Sequence, residues 1–181
     1  MPPFYDIYGL SKQRDRETID VFLDFYCHRE LIEDFKGQRV EIAIYKNDKY
    51  GVDERFVPVD YLHEVIAYGL SHQSIGFAFY VGVKSNYKKD IDDLILKFTF
   101  DGKMIFGVSI EENRITHDGK LIDNYDSALE IERTIAMLTN ATKTSIQLEY
   151  APSDDEEEFD QDIEVWRNMN EEKRKTRGIS R

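Results

Sequence analysis

Three stretches of the chain bring together residue types that could do chemistry. The first, "HEVIAYGLSH", begins like the H-E-x-x-H zinc helix, which needs its second histidine four positions after the first so that both imidazoles face one metal. The fourth position after His63 is Ala67, and the next histidine, His72, comes nine residues on. Nine steps of ~100° put the two rings on opposite sides of a helix. His28 and His117 stand in no ligand spacing with His63, so no metal is expected.

The second stretch, Cys27-His28, pairs a thiol with a base. Adjacent helical side chains diverge by ~100°, whereas a nucleophile and its base must face each other. Cys27 therefore reads as a small buried hydrophobe near a helix end, and a remote pairing with His63 or His117 stays open. The third, "KKDIDDLILK", carries Asp90, Asp92 and Asp93 and is followed by "FDGK". Metal-dependent nucleases gather an acid and an acid-x-lysine element around Mg²⁺, with the latter lying along a strand. Here Asp101-Gly102-Lys103 and Asp118-Gly119-Lys120 are turn sequences, where the backbone calls for Asp-Gly. No glycine-rich phosphate loop and no G-x-S-x-G elbow is present. No cofactor is implied, and an enzyme would have to assemble its site from dispersed residues, Asp90, Asp92, Asp93 and His63 foremost.

The elements that must position any site follow from periodicity. "FYDIYG" reads as an opening strand. "DRETIDVFLDFY" reads as a helix capped by Asp15, with Ile19, Phe22 and Tyr26 on its apolar face. "RVEIAIYK", Arg39 to Lys46, alternates as a strand, and "YLHEVIAYGL" reads as a second helix with Asp60 as cap. "IGFAFYVGV" is apolar on both alternating sets, as a central strand would be. "DLILKFTFDGKMIFGVSIE" is a hairpin: Leu94, Leu96, Phe98 and Phe100 share one face of its first arm, and Met104, Phe106, Val108 and Ile110 one face of its second. A third helix follows in "DNYDSALEIERTIAMLTNA", capped by Asp123 or Asn124. The strand "TSIQLEY" then points Ile146, Leu148 and Tyr150 inward and Gln147 and Glu149 to water. The expected class is α+β, a mostly antiparallel sheet with helices on one face, formed by residues 1–152 as one domain, with an appended C-terminal helix.

The 181 residues are 41% hydrophobic and 13% aromatic, enough for a real core. The net charge is −12, and with ten acids and six bases in Ser153–Arg181, −8 of it belongs to residues 1–152. Such a field disfavours direct nucleic-acid binding and anionic membranes and favours basic partners. One cysteine rules out an internal disulfide. The start of the chain lacks the pattern of a signal peptide, and the longest apolar run is far short of the ~20 residues a bilayer needs. A cytoplasmic location is the expectation.

Residues 153–181 open with eight carboxylates in the twelve positions from Ser153 to Glu164. Blocks of like charge usually mean solvated disorder. Here Phe159, Ile163, Trp166 and Met169 follow at helical spacing, and the acids give way to Arg167, Lys173, Arg174 and Lys175. That order complements a helix dipole, at up to ~1 kcal/mol per favourable charge. A helix from about Glu158 to Lys175 is expected, with "TRGISR" frayed beyond it.

An acidic body, abundant Tyr and Phe, and no intact catalytic motif point to a non-catalytic protein that binds another macromolecule. Its concrete form is an immunity-type inhibitor of a basic toxin, met through Asp154, Asp155, Glu156, Glu157, Glu158, Phe159 and Trp166. The alternatives are the dispersed hydrolase and a self-associating subunit, a homo-oligomer held through the C-terminal helix. Deleting residues 153–181 is expected to change the melting temperature or the oligomeric state. An unchanged melting curve and mass, with Trp166 fluorescing as a fully solvated indole, would refute the helix.

Overall fold

A computed structural model describes residues 3–27, 62–82 and 91–179. The strand expected at Arg39–Lys46, the cap Asp60 and the side chains of His28 and Asp90 lie outside them. The described elements run β1 (Phe4–Ser11), α1 (Arg16–Tyr26), α2 (Leu62–Ser71), β2 (Phe77–Gly82), β3 (Asp93–Phe98) and β4 (Met104–Glu111). They continue with β5 (Asn113–Ile115), β6 (Leu121–Asp123), α3 (Tyr125–Thr139), β7 (Lys143–Leu148) and α4 (Glu156–Lys175). Five strands form one antiparallel sheet in the order β2-β3-β4-β1-β7, and β5-β6 form a separate ribbon. The α+β class is as expected.

Local chemistry explains the boundaries. The Thr18 amide donates to Asp15 Oδ1 at 2.8 Å, capping α1 as the sequence implies. Both Asp-Gly pairs make turns: Gly102 and Gly119 each adopt φ +78°, a conformation open to glycine without a Cβ penalty. At α3 the Asp123 carboxylate accepts from the Tyr125 amide at 2.9 Å, while Asn124, the capping position, donates its side chain to the Glu111 carbonyl.

Alternation divides the sheet into two faces. On the first, Tyr5, Ile7, Leu94, Leu96, Phe98, Phe106, Val108 and Ile146 meet Ile19, Phe22, Val65, Ile66, Ala128 and Ile135 from α1, α2 and α3. On the second, Tyr8, Leu10, Ile95 and Ile105 surround Phe159 of α4, with Ile163 packed alongside. β1 thus feeds both clusters. The expectation that Gln147 faces water fails for this reason: α4 packs on β7, and Gln147 is fully buried. β2 also differs from expectation. Among the described residues it ends the strand order, with Phe77, Phe79 and Val81 buried but Tyr80 half exposed.

Arg14 pins α2 to the sheet. Its guanidinium donates to the carbonyls of Gly69 (2.7 Å), Thr99 (2.8 Å), His72 (2.9 Å) and Ile75 (3.1 Å) and lies 4.8 Å from the Phe98 ring centre. It therefore satisfies carbonyls at the end of α2 that have no helical partner. Burial lowers its pKa to about 10, still far above neutrality.

α4 begins two residues earlier than the sequence implies and ends differently. Gly178 adopts φ +69°, its amide donates to the Lys175 carbonyl, and the Ile179 amide donates to the Arg174 carbonyl. This is a Schellman closure rather than a frayed end, and Ile179 packs against the first cluster. Between its ends the helix crosses the β7 edge, where Asn170 donates to the free carbonyl of Ile146 at 3.0 Å. Phe159→Ala is expected to cost about 3–5 kcal/mol in denaturant unfolding, whereas Val165→Ala, at an exposed position of the same helix, should change stability by less than ~0.5 kcal/mol.

Candidate functional site

The acidic run of α4 is largely engaged by its own chain. Asp155 caps the helix, accepting from the Glu158 amide at 2.8 Å, and Glu158 reaches back to accept from the Asp154 amide at 2.6 Å. Asp154 pairs with Lys97, and Glu156 bridges Lys103 at 2.5 Å and Lys143 at 3.0 Å. These lysines hold the Glu156 carboxyl below its ordinary range. Phe159 is completely buried, so it anchors α4 to the sheet and offers no surface to a partner. Trp166 is partly buried, with its ring edge-on to Tyr150 at 6.1 Å. Of the seven residues the sequence proposes for partner binding, Glu157 is the one left exposed. Physically, the run docks and caps a helix.

Among the described residues proposed for a dispersed hydrolase, His63 stands apart from Asp92 and Asp93. His63 lies on α2, which packs on the first face, whereas Asp93 pairs with Ser109 on the second. Cys27 is buried at the end of α1, its thiol donating to the Leu23 carbonyl at 3.2 Å, as expected of a small core residue. His72 stacks on Tyr68, and His117 sits in the β5–β6 turn. Among the described residues no group of three His, Cys, Asp or Glu side chains is placed to hold a metal.

An acidic group that includes Asp92 and Asp93 does assemble, at the end of the second face that lies near Glu111 and Glu149. The register lines up Asp93, Ser109, Asp6 and Gln147 across β3, β4, β1 and β7. Asp6 lies at the floor, 8% exposed, where Oδ1 accepts from the Ser109 hydroxyl at 2.8 Å and Oδ2 from the Tyr150 amide at 3.1 Å. Burial pushes its pKa up to about 6 against those two hydrogen bonds, with help from the charges of Glu149 and Asp93. Asp93 is also raised, by burial and then by Asp92. Tyr80 and Tyr150, 49% and 46% exposed, rim the group. No ion pair joins Asp6, Asp92, Asp93 or Glu149 to a base among the described residues.

The chain matches no family model, no curated protein and no solved structure. Function must therefore be argued from this corner. Burial, and then the charges of neighbouring carboxylates, raise the proton affinity of Asp6 and Asp93, so the site is short of positive charge and a cation seated there would relieve the repulsion. The tyrosine rings add faces on which a guanidinium or ammonium can rest. Sequence reasoning missed Asp6 although its signal is visible: it is the one charged side chain in a strand otherwise read as apolar.

Asp6 holds its proton more tightly folded than unfolded, so its contribution to stability is complete below pH ~3.8 and lost as the pH rises through about 6. At ~1.4 kcal/mol per pKa unit, the change is on the order of 2–3 kcal/mol. Relative to wild type, Asp6→Asn should accordingly gain that much stability between pH 4 and pH 8 in parallel denaturant titrations. A pH-independent difference would show that Asp6 is not perturbed.

Proposed function

We propose that this protein is a non-catalytic binder of a basic protein, with an immunity-type inhibitor of a basic toxin as the concrete form. The observation that carries this reading is the uncompensated corner of Asp6, Asp92, Asp93 and Glu149 between Tyr80 and Tyr150. Several carboxylates at the start of α4 are matched, Lys97, Lys103 and Lys143 meeting Asp154, Glu156 and Asp160, while the buried Asp162 accepts from the Ser153 hydroxyl. A folded chain that keeps an ionised, poorly solvated Asp6 bears a stability cost for it. Such costs collect at sites that bind or react. The body's negative charge would steer a basic partner toward the corner, and the two half-exposed tyrosines supply amphipathic contact area of the kind that anchors interfaces.

A second reading draws on Asp6 alone. A carboxyl that titrates near 6 can serve as a general acid, with the Asp93 carboxyl as its neighbour, which keeps a hydrolase in view. Self-association through α4 has less support, because Phe159 and Ile163 are spent within the chain.

An oligoarginine peptide titrated into the full chain at low ionic strength separates these readings. Binding should weaken at least about tenfold in Asp92→Asn/Glu149→Gln and weaken with added salt, while Glu157→Gln, exposed in the first turn of α4, should leave it unchanged. Equal affinity for all three proteins would refute the corner as the binding surface. Ester or phosphodiester turnover abolished by Asp6→Asn would instead establish the hydrolase.

A further inference from the structure

We propose that the β5–β6 ribbon is a self-recognition element: it seats on the carboxylate corner of a second copy of this chain, whose own ribbon returns the contact.

The ribbon departs from the rest of the surface. Ile115 and Leu121 face each other directly in its ladder and are 74% and 63% exposed. They form a shared apolar patch on an otherwise acidic chain. Beside them stand Arg114 and Lys120, both exposed. Neither forms an ion pair among the described residues, in contrast to Lys97, Lys103, Lys143, Lys173, Arg174 and Arg177. Asp118, the acid at the ribbon's tip, accepts a hydrogen bond from the Thr116 hydroxyl. That bond holds Asp118 ionised, so the ribbon carries an apolar patch flanked by two bases without an ion pair, with one exposed acid at its tip.

Its complement lies on the same chain. The corner presents four carboxylates without a base and two half-exposed tyrosines, matching the ribbon in both charge and apolar character. The two surfaces are also adjacent. β4 contributes Ser109 to the corner and passes through Glu111 and Glu112 into β5 at Asn113. Complementary patches side by side at one end of a molecule can be satisfied together by a two-fold rotation, which closes the assembly as a dimer with every contact made twice. The inference rests on the corner as a cation-accepting surface, but not on the existence of a basic protein partner. Such a partner would compete with the second copy.

Sedimentation velocity of the full chain at low salt tests this. The wild type should shift from monomer to dimer with rising concentration, and salt should reverse the shift. Ile115→Glu/Leu121→Glu should need at least about tenfold more protein to dimerise. Arg114→Glu/Lys120→Glu and Asp92→Lys/Glu149→Lys should each be monomeric alone, yet dimerise when mixed, because mixing restores opposite charges at both contacts. All the substituted positions are exposed, so wild-type melting curves will confirm folding. A wild type that stays monomeric, dimerisation indifferent to the ribbon, or a mixture that fails to associate would each overturn the proposal. Oligoarginine binding is scored separately: a monomeric wild type that still binds it refutes self-recognition while leaving the proposed function intact.

Discussion

β1 is the constraint from which the rest of the structure follows. It lies between β4 and β7, and every residue after Phe4 is buried on one face or the other. Tyr5 and Ile7 belong to the cluster under α1 and α3, and Tyr8 and Leu10 to the cluster under α4. A strand apolar on both sides needs two covers. Three helices provide the first. The second is a single helix with one fully buried apolar residue, Phe159, and it has to be held by other means.

Charge does that holding. α4 is fixed at its start by Lys97, Lys103 and Lys143 reaching its acids, and at its end by Lys173, Arg174 and Arg177 reaching Asp123, Glu132 and Asp126. Exposed pairs are worth little singly, ~0–1 kcal/mol each. These are spread over both ends of one helix, several share partners, and Lys173 and Arg177 also lie over the Tyr125 ring. The helix dipole adds to the same arrangement, acids at the first turn and bases at the last. Asn170 closes the β7 edge, removing a carbonyl from the open row that edge strands present.

Much of this was legible from period and turn chemistry. The β3–β4 hairpin, the Asp15 cap, the turns at Gly102 and Gly119 and the existence of α4 each depend on residues close in sequence. The errors share an opposite cause. Gln147 looked solvent-facing because nothing local indicates that a helix from residues 156–175 covers it. Arg14 has no local signature, since the carbonyls it satisfies belong to residues more than fifty positions away. The lysine partners of the acidic run have no local signature either, since they lie on β3, on β7 and in the turn before β4. The corner is the same kind of case: Asp6, Asp93 and Glu149 become neighbours only through strand pairing.

The interior position of β1, between β4 and β7, also sets the order in which the fold can be assembled. Its partners come late, with the Ser109 hydroxyl 103 residues after Asp6 and the Tyr150 carbonyl 142 residues after Tyr8. Neither edge of the first strand can be closed until most of the chain is available. The β3–β4 hairpin can form on its own and offers a template on which β1 later docks. A topology with such distant central pairings folds slowly for its size, because loop-closure entropy is lost before the contacts compensate. During that interval the alternating apolar side chains of β1 are open to other chains, so dilution and chaperone supply will govern the yield of folded protein more than its final stability does.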